Sequence, residues 1–370
     1  MKVHRDEVQT GCILEKDIMG MTANPIIPKN TVLNEEHIKI LRAFNITEVM
    51  IEKTKADGHH YRPKPIPSKA DGSGQNQADG ESLLEGDNDK GFIDTYLKSV
   101  GEFKKEFTNW QSGTPINIAK MREITLPLLK TIEQNKFLLY SLNQYSTKKE
   151  YLYHHPVAVS ILSAMLGKKM GLKSGQVNQL ALAGVLADCG MAKVSTHILN
   201  KEKPLSENEF QEIKLHTANG YKMVRDSPLL KPEAKLAIFQ HHERFDGTGY
   251  PTSEKSDRIH LYSQIIGIAD VFHAMTSERI YRSRQPIFKV LDMISRDLFG
   301  KFDIKVVNTL MQLVGDLDIG TAVRLSTGDY GEVVYTKANA FTKPIVKLNN
   351  SEELLDLSQK KDIYITEVFG

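Results

Sequence analysis

Two adjacent imidazoles, His241 and His242, stand directly before a carboxylate, Glu243, in the stretch "HHERFDGTGYP" (residues 241–251). Imidazole nitrogens and carboxylate oxygens are the donors that hold iron, manganese or zinc where thiolates are absent. The glycines that follow, Gly247 and Gly249, let the backbone come close to something bound. Four more residues of the same chemical types, His155, Asp188, His216 and Asp270, fall on separate expected helices or at their ends. Ligands contributed by several helices make a site inside a bundle, as in di-metal helical proteins. Any one of these histidines alone reads as an ordinary surface or core residue. The constellation, with its His-His doublet leading into a glycine turn, is what points to a metal.

The elements that must position these side chains are mostly helical. From about Phe92 to Val314 apolar residues recur three and four apart, as in "INIAKMREITLPLLKTIEQNKFLLYSLNQ", "PVAVSILSAMLGKKM", "QVNQLALAGVLADCG", "PEAKLAIFQHHE" and "YSQIIGIADVFHAMTSE". Pro127 is expected to kink or divide the first of these. Ser206 with Glu209 reads as a capping box. Before this block, residues 1–54 read as a small mixed α/β unit. "GCILEKDI", "NPIIPKNTVL" and "ITEVMIEK" are its strands, and Asn34 caps a helix bearing Ile38, Leu41 and Phe44. Residues 55–92, rich in Gly, Pro, Ser, Asp and Asn, read as a disordered linker in which His59 and His60 are solvated. After Asp318 the period changes to two. "TAVRLSTGDYGEVVYT" reads as a hairpin around Thr327-Gly328-Asp329, with "PIVKLN" and "DIYITEV" as further strands. The expected division is therefore 1–54, 55–92, a helical block from 93 to 317 and a small β domain 318–370: a multidomain, mainly α chain with small α/β and β accessory units.

Bulk composition narrows the function classes. The chain has 370 residues, 40% hydrophobic and 25% charged, with a net charge of +2. So near neutrality it lacks the electrostatic footprint of a binder of nucleic-acid polymers or anionic membranes. No apolar run approaches the ~20 residues of a transmembrane helix, and the first residues lack the apolar stretch of a signal peptide. Two cysteines, Cys12 and Cys189, fit a reducing cytoplasm rather than a disulfide scaffold.

"HHERFDGTGYP" resembles the H-H-E-x-x-D-G-x-G-Y-P signature of HD-GYP domains, and "ILNKEKPLSENEFQEIKLHTANG" and "GIADVFHAMTSERIYRSR" follow that family in order and spacing. The resemblance runs from about Tyr151 to Val314 and so implies a division of the helical block into a segment 93–150 and a helical domain 151–317. It implies a helical bundle of the HD phosphohydrolase kind and a metal-dependent phosphodiesterase that cleaves cyclic di-GMP to pGpG and GMP. It also implies roles for particular residues. Asp188 bridges two divalent metals and is central to catalysis, and His216, His241 and His242 complete the second metal's ligands. His155 and Asp270 serve the first. Gly249, Tyr250, Arg279 and Arg282 lie on the nucleotide side, where arginine's planar fork suits guanine and phosphate.

The match is also broken at telling places. The histidine of the family's His-Asp pair is here Ala187, and the lysine aimed at a phosphate oxygen is Met191. The glutamate that binds a third metal in some members is Tyr151, and an aspartate near the guanine is His273. His273 is expected at the surface or facing the nucleotide, with a lesser alternative as a substitute ligand; Cys189 is a weaker substitute still. The implied function is an attenuated cytoplasmic cyclic di-GMP phosphodiesterase carrying one or two divalent ions per chain, iron or manganese ahead of zinc. The alternative is a non-catalytic cyclic di-GMP sensor or a module that binds other signalling proteins. A homodimer is a further expectation.

Overall fold

Helical patterning builds most of the chain, and its small sheets lie at the two ends. The structure, a computed structural model, describes residues 1–19, 25–34, 37–38, 41, 46, 48–61, 87–132, 138–279, 283–337, 340–349, 351, 353–360 and 362–369. They form two compact units, Met1–Gly101 and Glu102–Gly370.

In the first unit β1 (Lys2–His4) pairs antiparallel with β4 (Glu48–Met50), and β2 (Ile18–Met19) with β3 (Pro25–Ile27). Val3, Leu14, Ile27, Leu33, Leu41, Val49 and Ile51 form their shared core. The Asn34 side chain accepts from the His37 amide at 2.9 Å, a helix-start hydrogen bond; Phe44 lies outside the described residues. The segment read as a linker is built at both ends. Lys55 N–H donates to His59 O, Tyr61 N–H to Lys53 O, and Ala56 and Tyr61 are buried. Two apolar side chains and a left-handed Gly58 (φ +80°) suffice to fold this turn. His59 stays exposed beside Asp57. Residues 62–86 lie outside the described residues. Helix α1 then starts at Asp87 and runs to Gln111.

The second unit holds the helices that matter for the site. α2 (Ile118–Ile132) and α3 (Leu138–Ser141) lead into α4 (Tyr151–Lys169), α5 (Ser174–Leu186), a 3-10 turn over Cys189–Lys193, and α6 (Thr196–Leu199). α7 (Glu207–Lys214), α8 (His216–Val224), α9 (Pro232–Gln240), α10 (Leu261–Thr276), α11 (Ile287–Asp297) and α12 (Ile304–Val314) follow. Pro127 does not divide α2, which runs through it to Ile132. The ring removes one backbone donor, and the buried face of Met121, Ile124, Leu128 and Ile132 continues across it. The capping box at Ser206 and Glu209 is present, with Ser206 N–H donating to Glu209 Oε2 at 2.6 Å.

α4 and α5 are apolar nearly all round, which is the signature of buried helices. Val157, Ala158, Ile161 and Leu162 of α4 pack with Leu180, Ala183 and Leu186 of α5 in the core. Burying each Leu or Ile contributes ~1.5–3 kcal/mol. The two helices come close because Gly184 has no side chain: a Cβ there would lie 2.9 Å from Ser160 Cα. α10 packs on α4, with Ile265, Ile268, Ala269 and Phe272 buried. The chain ends in a five-stranded antiparallel sheet of β5 (Ala322–Leu325), β6 (Tyr330–Tyr335), β7 (Ile345–Leu348), β8 (Leu354–Asp356) and β9 (Ile365–Phe369), ordered β8-β7-β6-β5-β9. Gly328 turns the first hairpin at φ +92°. This sheet belongs to the same compact unit as the helices, and Lys343 Nζ reaches Asp292 of α11 at 3.2 Å.

Candidate metal centre and nucleotide-facing rim

The fold brings His155, Asp188, His216, His241, His242 and Asp270 to one place. Asp188 follows the end of α5 and heads the 3-10 turn. His216 opens α8, His241 ends α9 with His242 next, His155 lies in α4 and Asp270 in α10. The close approach of α8 to the 3-10 turn depends on Gly190, where a Cβ would meet His216 O at 2.0 Å and Gly220 N at 2.5 Å. Gly190→Ala is therefore expected to displace the backbone that carries His216 and to cost ~1–3 kcal/mol or more. Gly220→Ala, whose nearest neighbours are side-chain atoms at 3.2 Å, is the control. Thermal melts showing equal losses for the two would remove any special role for Gly190.

Asp188 stands between two sets of rings. Its Oδ1 faces His216 Nε2 at 3.3 Å and His241 Nε2 at 3.6 Å, and its Oδ2 faces His155 Nε2 at 3.6 Å. Asp270 Oδ1 lies 2.9 Å from His155 Nε2, and its Oδ2 lies 3.7 Å from His242 Nδ1. Ligand atoms of Asp188, His216, His241 and His242 all lie within 4.8 Å of one another. The hydrogen bonds behind the rings fix their state. His216 Nδ1 lies 2.6 Å from Ile213 O and His241 Nδ1 2.9 Å from Ile238 O, so each Nδ1 carries the donated proton. Burial also pushes the pKa of His216 below the ordinary imidazole value, and that of His242 well below it. With their Nδ1–H groups donated to carbonyls, His216 and His241 turn their Nε2 atoms, 3.3 Å apart, toward each other and toward a carboxylate oxygen. Two imidazole nitrogens and a carboxylate oxygen meeting at this spacing are donors that a divalent cation satisfies. The backbone carbonyls orient the rings as outer partners of metal ligands do. Burial opposes ionisation of Asp188, yet the imidazoles that face its oxygens hold its pKa below the usual carboxylate range. The residues present fit a cation.

The other half is poorer in donors. Ala187 is 4% exposed and lines a cleft with His155, Val159, Gly184, Asp188, His241 and Asp270 that is too narrow to admit a water molecule. Cys189 does not substitute, since its buried Sγ faces Gly220 O at 3.8 Å. His273 is not at the surface: it is 1% exposed, and its Nδ1 lies 2.9 Å from His155 Nδ1, the nitrogen turned away from the two aspartates. Tyr151 Oη is 2.9 Å from that same nitrogen.

Two readings of the glycine turn change with the structure. Glu243, which follows the His-His doublet, gives its carboxylate to the turn instead of to the cluster. Oε1 accepts from Thr252 N–H and Thr252 O–H at 2.7 Å, and Oε2 from Glu254 N–H at 3.1 Å. At Gly249 the close neighbour is the protein's own chain, with a Cβ predicted by ideal geometry to lie 2.4 Å from His242 O and 2.3 Å from Arg244 N. That glycine lets the turn fold back on the doublet. Tyr250 then lies over His242, with ring centroids 4.7 Å apart, and Lys214 Nζ stands 5.9 Å from its centroid. Arg279 holds its guanidinium 4.7 Å from the Tyr151 ring centroid. Arg282 lies outside the described residues. Sequence reasoning missed Arg244, whose Nη1 donates to His241 O at 3.2 Å and Glu243 O at 2.9 Å, bracing the doublet from behind. Its only signal was its place between the doublet and the turn.

Comparison with known proteins agrees with this geometry. The family model described as "HD domain" matches residues 130–306. The chain is 30% identical over 242 residues to the cyclic di-GMP phosphodiesterase PA4108 of Pseudomonas aeruginosa, covering 65% of this chain and 58% of that protein. It is 32% identical over 182 residues to a cyclic di-GMP phosphodiesterase of Thermotoga maritima, covering 48% of each. It is 32% identical over 156 residues to the 3'3'-cGAMP-specific phosphodiesterase 3 of Vibrio cholerae, covering 42% of this chain and 34% of that one. This chain thus spans about half the length, or less, of these relatives. In fold it is similar to Bd1817, an HDG"Y"P protein from Bdellovibrio bacteriovorus. The TM-score is 0.50 at 15% identity, covering 84% of this chain and 97% of that one. Among the described residues no helix is long and apolar enough to cross a membrane.

Proposed function

We propose that this chain, which carries an HD domain of the HD-GYP family, is a cytoplasmic cyclic di-GMP signalling protein. It binds the dinucleotide at the His/Asp cluster and hydrolyses it slowly. The observation that carries this reading is the asymmetry about Asp188. On one side, His216, His241 and His242 supply three nitrogen donors around Asp188. On the other, Ala187 leaves His155 and Asp270 with only the shared Asp188 as a third side-chain donor, beside a narrow cleft. A divalent cation, iron or manganese by ligand type, would supply Lewis-acid chemistry to a phosphodiester there.

The chain's own residues do the rest. His216, His241, His242 and Asp188 hold the cation, and Arg244 with Glu243 fixes the backbone on either side of the doublet. Tyr250 covers the His242 ring and offers a flat face at the rim. Arg279, and by family resemblance Arg282, take phosphate or guanine through charge-assisted hydrogen bonds. What weakens hydrolysis is the absence of a ligand at Ala187 and of a cation at Met191. The sensor reading shares every binding residue and differs only in turnover; the donor missing at Ala187 is the observation that favours it.

Titration calorimetry with cyclic di-GMP, with EDTA and without, tests the binding reading. The expected result is saturable heat, with Arg279→Ala weakening affinity by ~1.5–3 kcal/mol, the range for a lost charge-assisted hydrogen bond. No heat and no competition at high micromolar nucleotide would leave a protein-interaction module as the better account. A hydrolysis assay on metal-loaded protein separates the slow enzyme from the sensor.

A further inference from the structure

We propose that Tyr151 is a positioning residue, the platform that holds the Arg279 guanidinium in place for the nucleotide. The inference rests on the nucleotide-binding reading above. Tyr151 lies on the first turn of α4, one turn before His155, and its ring is stacked between groups that fix it. Its face lies on the His155 ring at 4.9 Å with an interplanar angle of 28°, and near-parallel to His273 at 6.2 Å and 22°. Its hydroxyl is pinned at 2.9 Å to His155 Nδ1. His155 is in turn held from its far end by Asp270 at 2.9 Å. The ring therefore cannot rotate without breaking contacts at both its edge and its face.

Against this fixed ring stands Arg279, its Cζ 4.7 Å from the centroid. A cation over an aromatic face is held by the ring quadrupole, which leaves most of its N–H donors for a ligand. That matters here because Arg279 Nε is buried and has no hydrogen-bond partner among the described residues. A buried guanidinium nitrogen without a partner is costly to leave so, and a ligand oxygen or ring nitrogen would complete it. Guanidinium carries five donors in a rigid fork, so fixing its plane fixes the direction of all of them. A lysine in its place would supply charge without that direction.

The test is a double-mutant cycle read as cyclic di-GMP affinity by calorimetry. Metal content and thermal melting temperature are recorded for every variant. Tyr151→Phe keeps the ring and is expected to stay within about twofold of the unmodified affinity, while Tyr151→Leu removes the face and is expected to lose about tenfold. In an Arg279→Ala background, Tyr151→Leu is expected to cost nothing further, because the platform has lost what it holds. Bound metal should stay constant across the series. An equal loss from Tyr151→Leu with and without Arg279 would overturn the inference, as would a Phe variant that falls as far as Leu. If Tyr151→Leu does not fold, the Phe variant and Arg279→Lys still decide. Phe must retain binding, and Lys must fall with Ala. If Arg279→Ala itself leaves affinity unchanged, the nucleotide-binding reading fails and takes this one with it. If Arg279→Ala weakens binding and Tyr151→Leu does not, only the platform fails.

Discussion

Replacing Ala187→His together with Met191→Lys is expected to raise cyclic di-GMP hydrolysis by at least about a hundredfold, since a single electrostatic stabiliser in a transition state is worth ~10²–10³ in rate. The change returns a nitrogen donor beside His155 and Asp270, and a cation near the phosphodiester. The structure adds a condition. Ala187 is 4% exposed in a cleft walled by Val159, Gly184 and Asp188, so an imidazole must open that cleft. Overpacking of this kind costs ~1–3 kcal/mol, and a thermal melt on the double variant reads the loss directly. Met191 is only half-buried on the 3-10 turn, so the lysine enters without such a cost. A variant that folds, gains a second metal ion and still turns over at the unmodified rate would mean that Ala187 and Met191 are not what limits hydrolysis. His273, buried against His155 instead of facing a ligand, would then be the next residue to change.

What was legible in the sequence follows from how local each signal is. The helical bundle could be read because its apolar residues recur at helical spacing over long stretches, and the capping box at Ser206 and Glu209 needs only four residues to be recognised. The C-terminal hairpin was legible from Gly328 and the alternation around it, whereas β8, three residues long, carries too little pattern to find. The residues gathered about Asp188 could be named because imidazole and carboxylate are rare in buried positions and the glycine turn is distinctive. Their partners could not. That Glu243 serves the turn depends on Thr252 and Glu254 folding back to it, which is a property of three-dimensional approach and not of spacing. His273 illustrates the same limit. Its place three residues after Asp270 puts it on the same helical side, but only the packing of α10 on α4 decides that it meets the outer nitrogen of His155. Residues 55–61 read as linker because composition averages over the segment, while a single Tyr61 with Ala56 is enough to anchor it.

The other large expected effect is on the metal itself: about one tightly held ion per chain in the unmodified protein, falling to background in Asp188→Ala, with Asp270→Ala retaining it. Donor number decides this, because a divalent site of this kind is built from three or four protein ligands. Asp188, His216, His241 and His242 bring four donor atoms within 4.8 Å of one another, and Asp270 is not among them. Asp188 is also the one anion in that group, and its Oδ1 is the atom to which both His216 Nε2 and His241 Nε2 turn. Removing it leaves two imidazole Nε2 atoms 3.3 Å apart with no carboxylate between them to draw a cation. Asp270 makes its short contact with His155 at 2.9 Å and only a long one, 3.7 Å, with His242. Its loss therefore strips the half that Ala187 has already depleted. Elemental analysis after anaerobic purification and dialysis against a weak chelator reads the outcome. Two tightly held ions in the unmodified protein would show that the depleted half loads a metal after all. An Asp188→Ala variant that keeps its ion would move the centre away from Asp188 altogether. If Asp270→Ala and Asp188→Ala lose metal equally, the two halves form one interdependent site, and the asymmetry from which slow hydrolysis is inferred no longer holds.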